Sequence, residues 1–208
     1  MTEPAPNHFE MRRLESLSNT IFGVAMTLLA YDLPKAGDFK SLPGWTDPAG
    51  EPIKSLPDWT DLYHLYAGRL SGLVLSFIIA GLFWFSHHRR LMRHPHGSRG
   101  VVILNLLFLL SIILLPVVNG LYGSYRMSSP VAVLYGLDLT AIAGFNAVLW
   151  WLATRGGKPH PDLWAAIFPV MVFLPCTGVA LYAPQYVAYF WFIAFGALLV
   201  RRFAARRA

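Results

Sequence analysis

Arg13-Leu14-Glu15-Ser16-Leu17-Ser18-Asn19 leads without a break into Thr20-Ile21-Phe22-Gly23-Val24-Ala25-Met26-Thr27-Leu28-Leu29-Ala30-Tyr31, and the run ends at Asp32 and Pro34. From Ser16 to Tyr31 it holds no formal charge. A plain membrane anchor needs only apolar side chains. This segment instead opens on ordered polar residues and carries a hydroxyl, Thr27, partway along. Ser18, Asn19 and Thr27 therefore point to a helix with a task inside the bilayer.

The rest of the chain supports that setting. Of 208 residues, 55% are hydrophobic and 13% charged, about half the charged share of soluble domains. Further apolar stretches run from Leu70 to Ser86, Gly100 to Tyr125, Met127 past Asp138 to Thr154, and Leu163 to Val200. A spanning helix needs about 20 mostly apolar residues, so the last stretch holds two, divided at Ala183-Pro184-Gln185. The expectation is an all-α polytopic membrane protein with six transmembrane helices near 14–34, 62–87, 100–122, 130–153, 162–182 and 185–203. Residues 1–13 form a cytoplasmic N-terminus, 14–34 the first helix, 35–61 an extracytoplasmic loop, 62–203 helices two to six, and 204–208 a cytoplasmic tail. Pro116, Pro169 and Pro175 do not argue against helices, because neighbours in lipid satisfy the freed carbonyls.

Orientation follows from the basic residues. Loops on the N-terminal side hold Arg12, Arg13, Arg89, Arg90, Arg93, Arg99, Arg155, Lys158, Arg201, Arg202, Arg206 and Arg207. The opposite loops hold only Lys35, Lys40, Lys54 and Arg126. Positive charge concentrates in the cytoplasm, and an even number of helices returns both termini to that side. The net charge of +6 is thereby assigned to topology and lipid headgroups, not to nucleic acid, for which a basic patch on a soluble domain is missing. Cys176 is the sole cysteine, so no disulfide forms within the protomer. Met1 to Met11 lacks the pattern of a cleaved leader, and the first helix is expected to be retained.

The loop of residues 35–61 contains an echo: Ser41-Leu42-Pro43-Gly44-Trp45-Thr46-Asp47 returns as Ser55-Leu56-Pro57-Asp58-Trp59-Thr60-Asp61. Its prolines forbid a long helix, and Trp45 and Trp59 suit the headgroup boundary. It reads as a loop resting on the membrane or as the rim of a central opening. Its acidic residues lack the spacing of a calcium loop. His87-His88-Arg89-Arg90-Leu91-Met92-Arg93-His94-Pro95-His96 gathers four histidines, but the arginines repel a cation and no carboxylate lies nearby in sequence. No metal or cofactor is expected. Haem is disfavoured as well, since His64 and His87 lie about 35 Å apart along one helix.

No metalloprotease, serine-hydrolase or phosphate-loop motif is present, so the chain is not expected to be an enzyme. Conduction, transport or scaffolding remain. On a wheel of about 100° per residue, Ser16, Thr20, Val24, Thr27 and Tyr31 share a sector of roughly 80°, with Leu28 beside it. One reading is packing through small and hydroxyl side chains. The other is a pore lining, with hydroxyls for a dehydrating ion and large residues as a constriction. A single helix cannot enclose a pore, so the second reading requires a symmetric homo-oligomer.

Arg13-x-x-x-Leu17-Ser18-Asn19, followed by Val24-Ala25-Met26-Thr27-Leu28-Leu29, resembles the first-helix signature of the transmembrane protein 175 family, lysosomal-type potassium channels with bacterial relatives. That signature is Arg, three residues, then Phe-Ser-Asp. The likeness continues at Trp84-Phe85-Ser86-His87-His88 and at Leu104-Asn105-Leu106-Leu107-Phe108-Leu109-Leu110 with Pro116. It implies a homotetrameric, potassium-preferring leak channel in a bacterial inner or plasma membrane, without a carbonyl-loop filter, that passes potassium and other monovalent cations. By position it implies a constriction of Val24, Leu28 and Tyr31, ion preference at Thr27 with Thr20, and a polar network of Arg13, Ser18, Asn19, Trp84, His87 and Asn105. Three departures stand out. Asn19 replaces the family's Asp, Leu17 replaces Phe, and Tyr31 brings an aromatic ring where an aliphatic residue is usual.

Two intramembrane charges remain, Arg69 in helix two and Asp138 in helix four. Both lie roughly 10–12 Å deep at 1.5 Å per residue, so an ion pair is expected. The alternatives to a channel are a proton-coupled or solute transporter using Asp138 and the histidines, and a non-conducting scaffold.

Overall fold

A computed structural model describes residues 9–191 except 11, 32, 43, 48, 52, 55, 94, 95, 126 and 156–160, together with 193 and 196. The described chain is helical: α1 Arg12–Leu29, α2 Trp59–Arg93, α3 Arg99–Ser124, α4 Ser129–Thr154, α5 Pro161–Ala180 and a short α6, Val187–Trp191. Beyond Trp191, the sixth segment expected at 185–203 lies outside the described residues except for 193 and 196, as does the tail 204–208. Two-residue strands, β1 Phe9–Glu10 and β2 His96–Gly97, pair antiparallel and bring the start of the chain to the α2–α3 connection.

Among the described residues, four helices, α2 to α5, are long and apolar enough to cross a bilayer. The chain is a multi-pass membrane protein. Cross-helix contacts set an up-and-down order. Asn19 meets Trp84 and Pro34 meets Tyr66, so α1 and α2 are antiparallel. Arg90 meets Asn105 and Ser76 meets Asn119, so α2 and α3 are antiparallel. Ser86 meets Asn146 and Ser76 meets Tyr135, so α2 and α4 run parallel. One end of the bundle therefore carries Arg13, Arg89, Arg90, Arg93, Arg99 and Arg155, and the other carries the connection of residues 30–58.

α3 lies at the centre. Phe108, Leu109, Ile112 and Leu115 are fully buried against Phe22 and Ala25 of α1, Ile79 and Phe83 of α2, and Leu139 and Ile142 of α4. α4 and α5 come close where Gly136 faces Thr177. A Cβ on that glycine would lie 2.5 Å from Thr177 Oγ1, so only glycine admits this approach.

Two boundaries differ from expectation. α1 tightens into i→i+3 bonds at Ala30 and Tyr31 and does not continue to residue 34. α2 has 35 residues, about 52 Å against a hydrocarbon core of about 30 Å, and begins inside the second Ser-Leu-Pro-x-Trp-Thr-Asp copy. There Asp61 N–H donates to Asp58 Oδ1 at 2.9 Å and Asp58 N–H donates to Asp61 Oδ2 at 3.1 Å. This reciprocal cap starts a helix. The first copy has Gly44 in place of Asp58, with φ +84°, and makes a turn. Trp45, expected at the headgroup boundary, is instead buried against Phe39 and Leu65, while Trp59 is 86% exposed.

Candidate functional site

α1 has two faces with different fates. Leu14, Ser18, Phe22, Ala25 and Leu29 recur at three- and four-residue steps and are buried. The opposite stripe is uncovered within the protomer: Val24 is 53% exposed, Leu28 44% and Tyr31 67%, with Thr20 and Thr27 exposed beside them. Packing within the chain thus uses the face that holds Ser18 and leaves the threonine stripe free. Leu28 and Tyr31 border a groove of about 400 Å³ against Pro116, Val117 and Gly120 of α3.

The threonines are oriented. Thr27 Oγ1 donates to Gly23 O at 2.7 Å, and Thr20 Oγ1 donates to Ser16 O at 3.1 Å. With each proton committed to the backbone one turn earlier, the hydroxyl oxygens keep their lone pairs for an outside partner.

The buried face is anchored by a chain of hydrogen bonds whose polarity can be worked out. Ser18 Oγ donates to Leu14 O at 2.6 Å, so toward His87 Nε2, 2.9 Å away, it can only accept. His87 therefore carries its proton on Nε2, and Nδ1 accepts from Arg90 Nη2 at 3.1 Å. The same guanidinium nitrogen donates to Asn105 Oδ1, and Asn105 Nδ2 donates to Val101 O at 2.8 Å. Arg90, His87, Ser18 and Asn105 are all buried. His87 is also stacked on Phe108, centroids 5.0 Å apart. The guanidinium thus fixes α3 and α2, and through a neutral imidazole fixes α1.

Trp84 and Asn19 form a second tie nearer the surface: Trp84 Nε1 donates to Asn19 Oδ1 at 2.9 Å. Trp84 is stacked on His88, 5.6 Å apart and 13° from parallel. His88 Nδ1 lies 3.1 Å from Glu15 Oε1, too poorly aligned for a hydrogen bond, so this is a charge contact only when His88 is protonated. The amide at position 19 serves Trp84 as acceptor, the part a carboxylate would take with greater strength.

Of the expected network, Ser18, Asn19, Trp84, His87 and Asn105 come together, and Arg13 does not. Arg13 is exposed and has no hydrogen bond or ion pair among the described residues. The arginine at the centre is Arg90, because it projects from α2 on the same face as His87, one turn on, whereas Arg13 follows an exposed direction of α1. The expected ion pair between Arg69 and Asp138 is also not formed among the described residues. Asp138 Oδ2 is buried without a hydrogen-bond partner there, and half-buried Arg69 lines a small cavity with Leu29, Gly72, Asn119 and Gly120 of α1 to α3. Equal depth fixes height along a helix but not azimuth, and the two side chains point to different neighbours.

Sequence reasoning also missed Asp162. It is buried at the start of α5 and takes Arg89 Nη1 at 2.6 Å and Arg93 Nη1 at 2.5 Å on its two oxygens. Arginines at i and i+4 on α2 were the available signal, since they share one face. Ser76, whose hydroxyl meets Asn119 Oδ1 at 2.6 Å and Tyr135 OH at 2.5 Å, and Ser86, which accepts from Trp150 Nε1 at 2.9 Å, pin α2 to α3 and α4. No group of three or more metal-ligating side chains occurs among the described residues.

These features define a multi-pass α-helical membrane protein whose first helix is pinned by polar bonds on one side and open on the other. Residues 13–116 match the family described as endosomal/lysosomal potassium channel TMEM175. A potassium channel from Streptomyces collinus is 28% identical over 167 residues, covering 76% of this chain and 72% of that protein. The crystal structure of a lysosomal potassium-selective channel TMEM175 homolog from Chamaesiphon minutus superposes with TM-score 0.71 at 20% identity. That match covers 95% of this chain and 97% of the other and shares its fold. The chain belongs to the TMEM175 potassium channel family. It is an ion-channel protein and not an enzyme.

Proposed function

We propose that four copies of the chain assemble around an axis lined by α1 and form a potassium-preferring leak channel in the bacterial cell membrane, with the arginine-bearing end in the cytoplasm. The observation that carries this reading is the exposed stripe of Thr20, Val24, Thr27, Leu28 and Tyr31 on a helix whose other face is pinned by buried polar bonds. Lipid contact requires no hydroxyls, and the protomer's core does not use these. Facing an axis, Val24, Leu28 and Tyr31 form an apolar constriction, and the oriented oxygens of Thr20 and Thr27 offer acceptors to a partly dehydrated cation. Potassium sheds water more readily than sodium, so a path with few ligands favours it.

Purified protein in liposomes under a potassium gradient tests this. Passive, non-saturating potassium flux supports the channel, and coupled saturable flux or none opposes it. Leu28→Ala should widen the constriction and raise single-channel conductance, and an unchanged conductance contradicts the assignment. Thr27→Val keeps shape but removes the oxygen, and should bring potassium and sodium permeabilities closer together in bi-ionic reversal potentials. The transporter alternative would use Asp138, whose Oδ2 is buried without a hydrogen-bond partner among the described residues, and the histidines, of which His87 has both nitrogens committed to Ser18 and Arg90. Coupled, saturable flux in the same liposomes would favour it.

A further inference from the structure

The residues that follow α1 place a positive charge on the ring at the end of the uncovered stripe. Lys35 Nζ stands 4.0 Å from the centroid of the Tyr31 ring, well within the range of a cation–π contact. The backbone holds it there. Lys35 N–H donates to Asp38 Oδ2 at 2.8 Å, and Asp38 N–H donates back to Lys35 O at 2.9 Å. The hydroxyl of Tyr66, on α2, donates to the carbonyl of the preceding Pro34 at 2.8 Å. Tyr66 also packs on Phe39, which packs on the buried Trp45. Lys35 is therefore fixed to the bundle and is no loose tether. Its ammonium forms no ion pair among the described residues, and the Asp38 carboxylate takes Lys35's own backbone N–H.

We infer that Lys35 sets the rate of cation entry from the extracytoplasmic side: one ammonium per copy, seated on Tyr31, rings the mouth and lowers the local concentration of monovalent cations there. The inference rests on the α1-lined pore proposed above. Two effects act together. The ring of like charge repels an approaching cation, and the ammonium occupies the π face that a permeating ion would otherwise meet. The first is electrostatic and exposed, so it is screened as salt rises from about 0.1 M, where the Debye length is about 10 Å, to 1 M, where it is about 3 Å.

The test uses the full-length channel in planar bilayers with Lys35→Cys, recorded before and after a cationic or an anionic thiol reagent of similar size is added on the extracytoplasmic side. Cys176 is buried, and the wild-type protein treated in parallel serves as the control for it. At about 0.1 M potassium the variant should conduct more than wild type, by about threefold given four charges at one mouth. The cationic reagent should return conductance toward the wild-type level, the anionic reagent should raise it further, and all differences should shrink at 1 M. If both reagents change conductance alike, or neither does, Lys35 does not govern entry. If neither wild type nor the variant passes potassium at all, the α1-lined pore fails, and this inference with it.

Discussion

Ser18 and Thr27 are hydroxyls on the same helix, each bonded to the carbonyl one turn earlier, yet they end on opposite sides of the fold. Ser18 is buried as the acceptor for His87, and Thr27 is exposed. Their consequences differ accordingly. Ser18→Ala leaves His87 Nε2–H buried without an acceptor, costing about 1–3 kcal/mol. Asn105→Leu removes the acceptor of a buried guanidinium and should cost about 3 kcal/mol or more, because charge is harder to leave unsatisfied. Thermal unfolding in detergent should rank the two in that order, and equal losses would mean the guanidinium has found another acceptor. Asn19→Asp restores the family's carboxylate opposite Trp84 Nε1. A charge-assisted bond there should raise the unfolding temperature at neutral pH. At this scale the sequence pointed to Ser18 and Asn19 but also to Arg13, which stays outside the network, and it was silent on Arg90. Nothing along the chain distinguishes Arg90 from Arg89 or Arg93 until the helix turns it inward.

At the scale of elements, the two Ser-Leu-Pro-x-Trp-Thr-Asp copies show how one residue redirects a segment. Asp58 caps α2 and Gly44 cannot. The Lys54 ammonium, 2.9 Å from Asp58 Oδ2, holds the Asp58 carboxyl below its ordinary value of 3.8, aided by the Asp61 backbone N–H. A depressed carboxylate contributes above its unfolded value and loses that contribution as pH falls through the folded one. Amide exchange at Asp61 and Leu62 should therefore accelerate below pH 3.8, after correction for intrinsic rates. Asp58→Asn should weaken that pH dependence but leave the part due to Asp61, whose carboxyl the same Lys54 ammonium also holds below its ordinary value. The α4–α5 contact makes a sharper prediction. Thr177 Oγ1 donates to Phe173 O at 2.8 Å, so it cannot swing away freely from a side chain at position 136. Gly136→Ala should destabilise by about 1–3 kcal/mol, and Thr177→Ala should recover much of that loss in the double variant. Full additivity of the two changes would place the strain elsewhere. The sequence marked these helices by apolar length, but the glycine that lets two of them touch was indistinguishable from other glycines.

For the whole molecule, the proposed tetramer makes α1 an inner wall and the outer faces of α2 to α5 the lipid boundary. Leu28→Cys should cross-link between protomers under oxidation, whereas Met171→Cys, on the exposed side of α5, should not. The reverse pattern would turn the bundle inside out and remove the pore. What the chain determined by itself was the class: long uncharged stretches can satisfy their backbone only as helices in lipid. It also marked the stripe on α1, because helical period alone places Thr20, Val24, Thr27 and Tyr31 on one side. Only the tertiary structure decided which side of α1 is buried, that Arg90 and not Arg13 holds the network, and that Arg69 and Asp138 do not meet. Those outcomes depend on the rotation of each helix about its axis, which is fixed by packing against neighbours distant in sequence and leaves no mark in the local order of residues.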